Sequence, residues 1–384
     1  MNFDKIINRK GTYCTQWDYI EDRFGKGNSD LTPFSISDTD FKCPQEIINK
    51  VIERVQHGIF GYSRWNHSDY KTSIVNWYKS RYKTNIKEDW VVYSPAVIYS
   101  ISVIIEMIVG KSGKVMTHTP RYDGFTKILE KYTVYNIPLT ENNIGEFLTD
   151  FDLIEKGFKD GVKLFLLCNP ENPTGKVWKK EELEKLVELS KKYGVLIISD
   201  DIHMDIVRRE VTPILKLDSI SSLIVSSASK TFNTPSLGGS YCIIPDDNLR
   251  ERFVDHIKNT DAVSSPAILG VISTMVAYNE CSYWVDSLNE YLTKNCEYVV
   301  QELNGYKGLN VKIPEGTYLM WIDIKETNID PKNLQEALIK IGKVAIMSGD
   351  NYGDKYRLRL NVGGSLEKIK IGVEGIKKAI DSLT

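Results

Sequence analysis

Short apolar runs that alternate with helical patterns constrain the fold of this chain more than any other feature. Residues 114–118, 163–168, 195–199 and 223–225 are rich in Val, Ile and Leu, as expected for strands buried on both faces. Between them lie stretches with apolar residues at helical spacing, of which residues 180–193 are the clearest. This alternation predicts an α/β fold with a mostly parallel sheet and helices on both faces.

A polar side chain stands soon after each of these runs. The four residues in question are Tyr122, Asn172, Asp200 and Lys230. The carboxyl ends of neighbouring parallel strands lie at one edge of a sheet, and open α/β sheets bind their ligands there. We therefore expect the four side chains to line one site.

Lys230 is the candidate nucleophile of that site. It follows a buried strand and a run of small hydroxylated residues, residues 226–229. A lysine amine attacks an aldehyde only in its neutral form, which burial and nearby charges can favour. The alternative is a solvated lysine beyond a strand end, which is the common fate of lysines. The polar residues that follow the other three strands favour the interpretation of Lys230 as a nucleophile over that of a solvated lysine.

Two further segments indicate anion binding. A strand at residues 90–93 runs into Ala96 and Val97, and a helical pattern follows, so the free N–H groups of that helix could meet a phosphate. Most strand-to-helix turns of α/β proteins look similar, and this pattern is therefore weak. Near the C-terminus, strands are predicted at residues 318–322, 344–347 and 356–363, and the last carries two arginines. One arginine could clamp a carboxylate, or it could form a surface salt bridge.

Composition excludes several classes of protein. The 384 residues carry 49 basic and 51 acidic side chains, a net charge of −2, which gives no basic surface for nucleic acid. No apolar run is long enough for a membrane span or a signal segment. The six cysteines lie far apart, without the spacing of a zinc site or of a disulfide scaffold, so we expect no metal, reduced thiols and a cytoplasmic location.

The motifs together resemble a known family. Asn-Pro-Glu-Asn-Pro-Thr-Gly at residues 169–175, Ser-Asp-Asp-Ile-His at 199–203 and Ser-Ala-Ser-Lys at 227–230 resemble the fold-type I pyridoxal phosphate enzymes of the aminotransferase class I/II superfamily. Residues 11–18, 36–41, 60–65 and 202–205 are similar to the MalY/PatB group of cystathionine β-lyases.

That resemblance implies a fold and a division of the chain. The expected fold is a large domain with a mostly parallel, seven-stranded sheet flanked by helices, plus a smaller α+β domain. Residues 1–45 would form an N-terminal arm and part of the small domain. Residues 46–278 would form the large pyridoxal phosphate-binding domain, and residues 279–384 the small C-terminal domain.

The resemblance also implies roles for residues around the cofactor ring. Lys230 would bind pyridoxal 5'-phosphate covalently and later remove the Cα proton of the substrate. Asp200 would pair with the ring nitrogen, Asn172 would hydrogen-bond the ring hydroxyl oxygen, and Tyr122 would stack on the ring. His203 stands where aminotransferases usually carry a tyrosine that contacts the ring hydroxyl, so it is a further candidate for cofactor binding.

Other implied roles concern the phosphate, the substrate and the partner. The backbone at Ala96 and Val97 and the hydroxyl of Ser227 would hold the phosphate. Gly238 stands where aminotransferases often use an arginine on that phosphate, so backbone and hydroxyl groups should matter more here. Arg359 would bind the α-carboxylate of an amino-acid substrate. Tyr62 would reach the cofactor of a neighbouring subunit, which implies a homodimer with shared active sites.

The implied activity is α,β-elimination. A β-lyase of this group would split L-cystathionine or cysteine S-conjugates into a thiol, pyruvate and ammonia. An aminotransferase is the alternative, because both reactions begin with loss of the same Cα proton. A further alternative is an additional regulatory, protein-binding role of the MalY type.

Overall fold

The computed structural model describes residues 2–384. Its β-strands, in chain order, are β1 (Thr32–Pro33), β2 (Val91–Ser94), β3 (Lys114–Thr119), β4 (Thr133–Glu141), β5 (Phe147–Thr149), β6 (Leu164–Cys168), β7 (Leu196–Asp200), β8 (Ser222–Ser226), β9 (Ser240–Ile243), β10 (Leu319–Asp323), β11 (Val344–Ala345), β12 (Met347–Ser348) and β13 (Arg357–Asn361).

Its α-helices, in chain order, are α1 (Glu21–Phe24), α2 (Gln45–Gln56), α3 (Ser68–Tyr82), α4 (Val97–Val109), α5 (Asp123–Leu129), α6 (Phe151–Lys159), α7 (Lys180–Tyr193), α8 (Ser229–Phe232), α9 (Asp247–Asp255), α10 (Ile268–Glu280), α11 (Ser282–Leu303), α12 (Pro331–Lys340) and α13 (Leu366–Asp381). Within residues 2–384, no helix combines the length and the apolar character that crossing a bilayer requires.

An eight-stranded sheet forms the centre of the molecule, in the order β2-β9-β8-β7-β6-β3-β4-β5. The five strands β8, β7, β6, β3 and β4 run parallel, and β9 is antiparallel to both of its neighbours. Seven strands were expected, and the eighth is the short β5, which pairs antiparallel with β4 as a hairpin. The α/β fold of the aminotransferase type is confirmed.

The strands β6, β7 and β8 are buried at almost every position, which explains their continuous apolar sequences. Two buried clusters cover the two faces of the sheet: Ile197 and Ile224 belong to one, and Ile198 and Val225 to the other. Because both faces are covered by helices, ligands can approach only the ends of the strands.

Two small sheets lie outside the central one. β10, β13 and β12 form an antiparallel sheet, and β1 near the N-terminus pairs in parallel with β11. A single strand over residues 344–347 was the wrong prediction, because Val344–Ala345 pairs with β1 whereas Met347–Ser348 pairs with β13. Apolar content does not distinguish one strand from two that change partners. The domain boundaries at residues 45 and 278 stay a prediction.

Candidate active site

A cavity of about 350 Å³ lies at the carboxyl ends of the parallel strands. All of the predicted site residues except Tyr62 line it: Ala96, Val97, Tyr122, Asn172, Asp200, His203, Ser227, Lys230 and Arg359. Most come from the ends of strands or from the turns after them, and Arg359 comes from β13 of the small sheet. The cavity is therefore closed on one side by the second sheet, which brings an arginine to the large sheet's edge.

Lys230 lies on the short helix α8, with its side chain reaching the N-terminal arm. Its Nζ donates a hydrogen bond to the carbonyl oxygen of Ser37, 2.5 Å away. The pKa of the Lys230 amine is lowered to about 8, chiefly by burial and also by the charge of Arg359, whereas the charges of Asp38 and Asp200 act to raise it. A large fraction of the amine is therefore neutral near pH 8, as a nucleophile requires.

The titration of Lys230 can be measured directly. In cofactor-free protein we expect acetylation of Lys230 by acetic anhydride to increase with pH and to reach its midpoint near pH 8, because only the neutral amine reacts. Asp38→Asn should move this midpoint to lower pH, since it removes a negative charge that stabilises the ammonium form. Mass spectrometry of the labelled peptide gives both values. A midpoint above pH 10, or a shift to higher pH in the variant, would contradict this account.

Asp200 is the last residue of β7 and is 5% exposed. Burial raises the pKa of its carboxyl to about 7, and the backbone N–H of Ile202, which donates to Oδ1 at 3.1 Å, partly offsets this effect. Within residues 2–384 Asp200 forms no ion pair closer than 4 Å. The charge of Lys230 also lowers the pKa of Asp200, but the two form no ion pair. A positively charged ligand in direct contact would therefore compensate the buried carboxylate.

Arg359 is buried and fixed by three contacts. Its Nη1 donates to Oδ1 of Asn172 at 3.0 Å, its Nη2 donates to the carbonyl oxygen of Ser35 at 2.7 Å, and the ring of Tyr352 lies 4.4 Å from the guanidinium carbon. The Nε atom has no partner among the described residues. Because this donor is buried and unpaired on a residue that lines the cavity, an anionic ligand would supply the missing hydrogen bond.

The second arginine of β13 has a different role. Nη2 of Arg357 pairs with Glu141 at 2.7 Å and with Asp323 at 3.1 Å, and this residue does not line the cavity. The sequence pattern left both fates open for an arginine on this strand. The structure separates them: Arg357 forms the salt bridges, and Arg359 reaches the site.

The opposite end of the cavity suits an anion. Helix α4 begins at Val97 after Ala96, no side chain caps it, and its first N–H groups are therefore available to a phosphate. The hydroxyl of Ser227 lies at the same end of the cavity and donates to the carbonyl oxygen of Gly239 at 2.9 Å. Gly238 has a φ of +75°, which disfavours any side chain, so no arginine could replace it without strain.

His203 and Tyr122 line the cavity between these two ends. Burial lowers the pKa of His203 to about 3, with a smaller effect from the charges of Lys230 and Arg359, so its imidazole is neutral at pH 7. Its Nδ1 has no partner within residues 2–384. His203 can therefore donate or accept one hydrogen bond, but it cannot act as a cation.

Tyr62 lies away from the cavity of its own chain. Its side chain is 100% exposed, and the adjacent Ile59 and Phe60 are 67% and 59% exposed. A tyrosine in this position has no function within one chain that the structure reveals. Its exposure is compatible with a contact to a second chain, which the resemblance implied.

Sequence reasoning missed several residues near Lys230. Ser37 and Asp38 belong to the motif at residues 36–41, which was noticed for its resemblance only. Tyr352 ends a short 3₁₀ helix, Gly349–Tyr352, and gave no signal in the sequence. Asp205 closes the motif at residues 202–205 and accepts hydrogen bonds from Trp77 Nε1 at 3.0 Å, Thr231 Oγ1 at 2.9 Å and the hydroxyl of Tyr82.

Asp205 stabilises the segment that carries Lys230. Thr231 follows Lys230 directly in the chain, and its hydroxyl donates a hydrogen bond to Asp205. The carbonyl oxygen of Thr231 accepts a hydrogen bond from Nε1 of Trp284. We expect Asp205→Ala to lower the free energy of unfolding by about 3 kcal/mol or more, because it leaves three buried donors without an acceptor. Asp205→Asn keeps an acceptor oxygen and should cost less. Urea denaturation of both variants tests this expectation, and equal stability of Asp205→Ala and wild type would contradict it.

Comparison with known proteins identifies the family. The sequence matches the aminotransferase class I and II family over residues 29–376. The chain belongs to this family. It is 40% identical to protein MalY of Escherichia coli, over 99% of this chain and 98% of that protein. It is 32% identical to the cystathionine β-lyase PatB of Bacillus subtilis, over 99% of this chain and 100% of that protein. The resemblance to the MalY/PatB group is confirmed.

The fold agrees with the solved structure of a carbon–sulfur lyase. The pyridoxal phosphate-bound C–S lyase of Staphylococcus hominis superposes with a TM-score of 0.90 at 30% identity, and the match covers 99% of each chain. The aminotransferase class I and II family is dependent on pyridoxal phosphate.

The cavity suits this cofactor group by group. Pyridoxal phosphate carries an aldehyde, a basic ring nitrogen and a phosphate. Lys230 offers an amine with a lowered pKa, Asp200 a buried carboxyl that forms no ion pair with a described residue, and the uncapped start of α4 a set of free N–H groups. We infer that these three groups would hold the aldehyde carbon, the ring nitrogen and the phosphate.

Proposed function

We propose that this protein is a pyridoxal phosphate-dependent carbon–sulfur β-lyase that cleaves L-cystathionine or related cysteine S-conjugates into a thiol, pyruvate and ammonia. The observation that carries removal of the Cα proton, the step shared by such enzymes, is the grouping of Lys230, Asp200 and Arg359 around one cavity. The similarity to the cystathionine β-lyase PatB over the whole chain supports elimination as the outcome.

In this proposal each of the three residues has a separate role. When bound, pyridoxal phosphate supplies a conjugated ring that accepts the electron pair left at Cα. Arg359 binds the substrate α-carboxylate through its free Nε and an adjacent Nη, which fixes the Cα–H bond relative to Lys230. Lys230 Nζ takes the Cα proton, because its lowered pKa leaves a neutral amine near pH 8. Asp200 keeps the ring nitrogen protonated.

An aminotransferase is the alternative, since it requires the same proton transfer and the same three residues. The two activities differ in their need for a second substrate. We expect the purified enzyme with pyridoxal phosphate to release pyruvate and thiol from L-cystathionine in equal amounts without any keto acid. Product formation that appears only after a keto acid is added would replace the lyase with the aminotransferase. The regulatory role of the MalY type stays a prediction.

We also propose a cytoplasmic homodimer with shared active sites. All six cysteines are free, which agrees with a reducing compartment. The exposed Tyr62 and its apolar neighbours support an interface at the loop that contains them. In a dimer, Tyr62 of one subunit would complete the phosphate site of the other.

Mixed dimers test the shared site. Tyr62→Ala and Lys230→Ala should each have little activity alone. When chains with the two substitutions are combined, one site of the heterodimer has both Lys230 and Tyr62 intact if Tyr62 acts across the interface. We then expect about half of the wild-type activity per heterodimer. If Tyr62 acts within its own chain, no site is intact, and the absence of recovered activity in purified heterodimers would contradict the proposal.

A further inference from the structure

Two charged residues of the cavity wall have no role in the proposed reaction. The charged residues that line the cavity are Arg23, Asp123, Asp200, Lys230 and Arg359. The last three serve the cofactor and the α-carboxylate in the proposed function. Arg23 and Asp123 remain, one cation and one anion, and neither side chain forms an ion pair or a hydrogen bond within residues 2–384.

Arg23 and Asp123 lie close to the same part of the cavity. Arg23 belongs to helix α1 of the N-terminal arm and is exposed, whereas Asp123 is the first residue of α5 and is half-buried. Burial raises the pKa of both Tyr122 and Tyr352. In addition, the charge of Asp123 raises the pKa of both tyrosines, and the charge of Arg23 lowers it. Both charges therefore act on the two rings beside Arg359.

This arrangement matches the far end of one class of substrate. The half of a cysteine S-conjugate that reacts carries one ammonium group and one carboxylate. In the proposed function these lie at the site formed by Lys230 and Arg359. If the leaving thiol is itself an amino acid, the far end carries a second carboxylate and a second ammonium. Arg23 would pair with that carboxylate and Asp123 with that ammonium. A simple alkyl thiol offers no partner to either residue.

We propose that Arg23 and Asp123 determine substrate specificity by binding the distal carboxylate and the distal ammonium of thioethers whose leaving thiol is an amino acid. This inference rests on the proposed function and narrows its substrate class to the cystathionine type. The structural alternative is that both charges only stabilise helix ends, because Asp123 lies in the first turn of α5 and Arg23 in the last turn of α1.

Four substrates with the same reacting half separate these possibilities: L-cystathionine, S-(2-carboxyethyl)-L-cysteine, S-(2-aminoethyl)-L-cysteine and S-methyl-L-cysteine. We expect Arg23→Gln to lower kcat/KM for cystathionine and for the carboxyethyl compound about tenfold, the loss of one partly exposed charge-assisted hydrogen bond. Asp123→Asn should have this effect on cystathionine and on the aminoethyl compound. Neither variant should change kcat/KM for S-methyl-L-cysteine by more than about twofold.

Lys26→Gln and Asp22→Asn are the matched controls, since both residues are exposed neighbours of Arg23 that do not line the cavity. Equal losses on all four substrates, as the structural alternative predicts, or no loss on any, would overturn the inference.

Binding is measured in parallel from the absorption change of the holoenzyme on addition of each thioether. If the wild type binds cystathionine but releases no pyruvate, the proposed function fails. The ratio of the Kd for cystathionine to the Kd for S-methyl-L-cysteine then still decides the inference: it should rise about tenfold in Arg23→Gln and Asp123→Asn, and an unchanged ratio would overturn it.

Discussion

Lys230→Ala is expected to lower kcat/KM for L-cystathionine by about 10⁴-fold or more, because one amine both attaches the cofactor and takes the Cα proton. The loss should appear in kcat rather than in folding. Burial already disfavours the charged form of Lys230, so the alanine variant should unfold at the same urea concentration as the wild type or a higher one.

Borohydride reduction provides a second readout for Lys230. In the wild type, it should fix pyridoxal phosphate on the peptide that contains Lys230, and in the alanine variant no peptide should carry it. Lys127→Ala is a suitable control, since Lys127 is exposed on α5 and does not line the cavity. A Lys230→Ala enzyme with more than about one hundredth of the wild-type activity would remove the lysine from its central role.

The Asp200→Asn variant is expected to lose about 10²- to 10⁴-fold in kcat/KM, which corresponds to the roughly 3–5 kcal/mol of a buried charge pair. A neutral amide cannot keep the ring nitrogen of the cofactor protonated. Asp200→Glu retains the charge and should recover part of the activity. If Asn and Glu variants were equally active, a charge at this position would not matter for the reaction.

In the cofactor-free protein, Asp200→Asn should increase the stability of the fold although it lowers the activity of the enzyme. The pKa of Asp200 is raised to about 7, so the folded state holds a proton that the unfolded state loses near pH 4. The stability of the wild type therefore decreases as pH rises from about 4 to about 7, by up to about 4 kcal/mol from this group. Asp200→Asn should be more stable than wild type at pH 8 and equal to it below pH 4, as urea denaturation across this range would measure.

The strand ends could be predicted from the sequence because they depend on local patterns. Asp200 ends a buried strand, Tyr122 and Lys230 follow soon after one, and parallel pairing brings such ends together whatever the rest of the chain does. Arg359 needed the resemblance in addition, because the pattern alone did not separate it from Arg357, which forms salt bridges.

The residues that sequence reasoning missed depend on long-range packing. Ser37 contacts Lys230 although the two are 193 positions apart along the chain. Tyr352 and Arg23 each lie in a helix of about one turn. No periodicity marks such residues, since their positions are set by how the arm and the small sheet pack on the large one. The role of Tyr62 depends on a second chain, which one sequence does not contain.

The central claim is that this cavity breaks a carbon–sulfur bond at Cβ. The most direct measurement is ¹³C NMR of L-cystathionine labelled in its cysteine-derived carbons, incubated with the holoenzyme and no keto acid. We expect the label to appear in pyruvate at the rate at which homocysteine is released, and we expect Lys230→Ala to leave the substrate intact. Label in cysteine, or in a keto acid that retains the carbon–sulfur bond, would contradict the central claim.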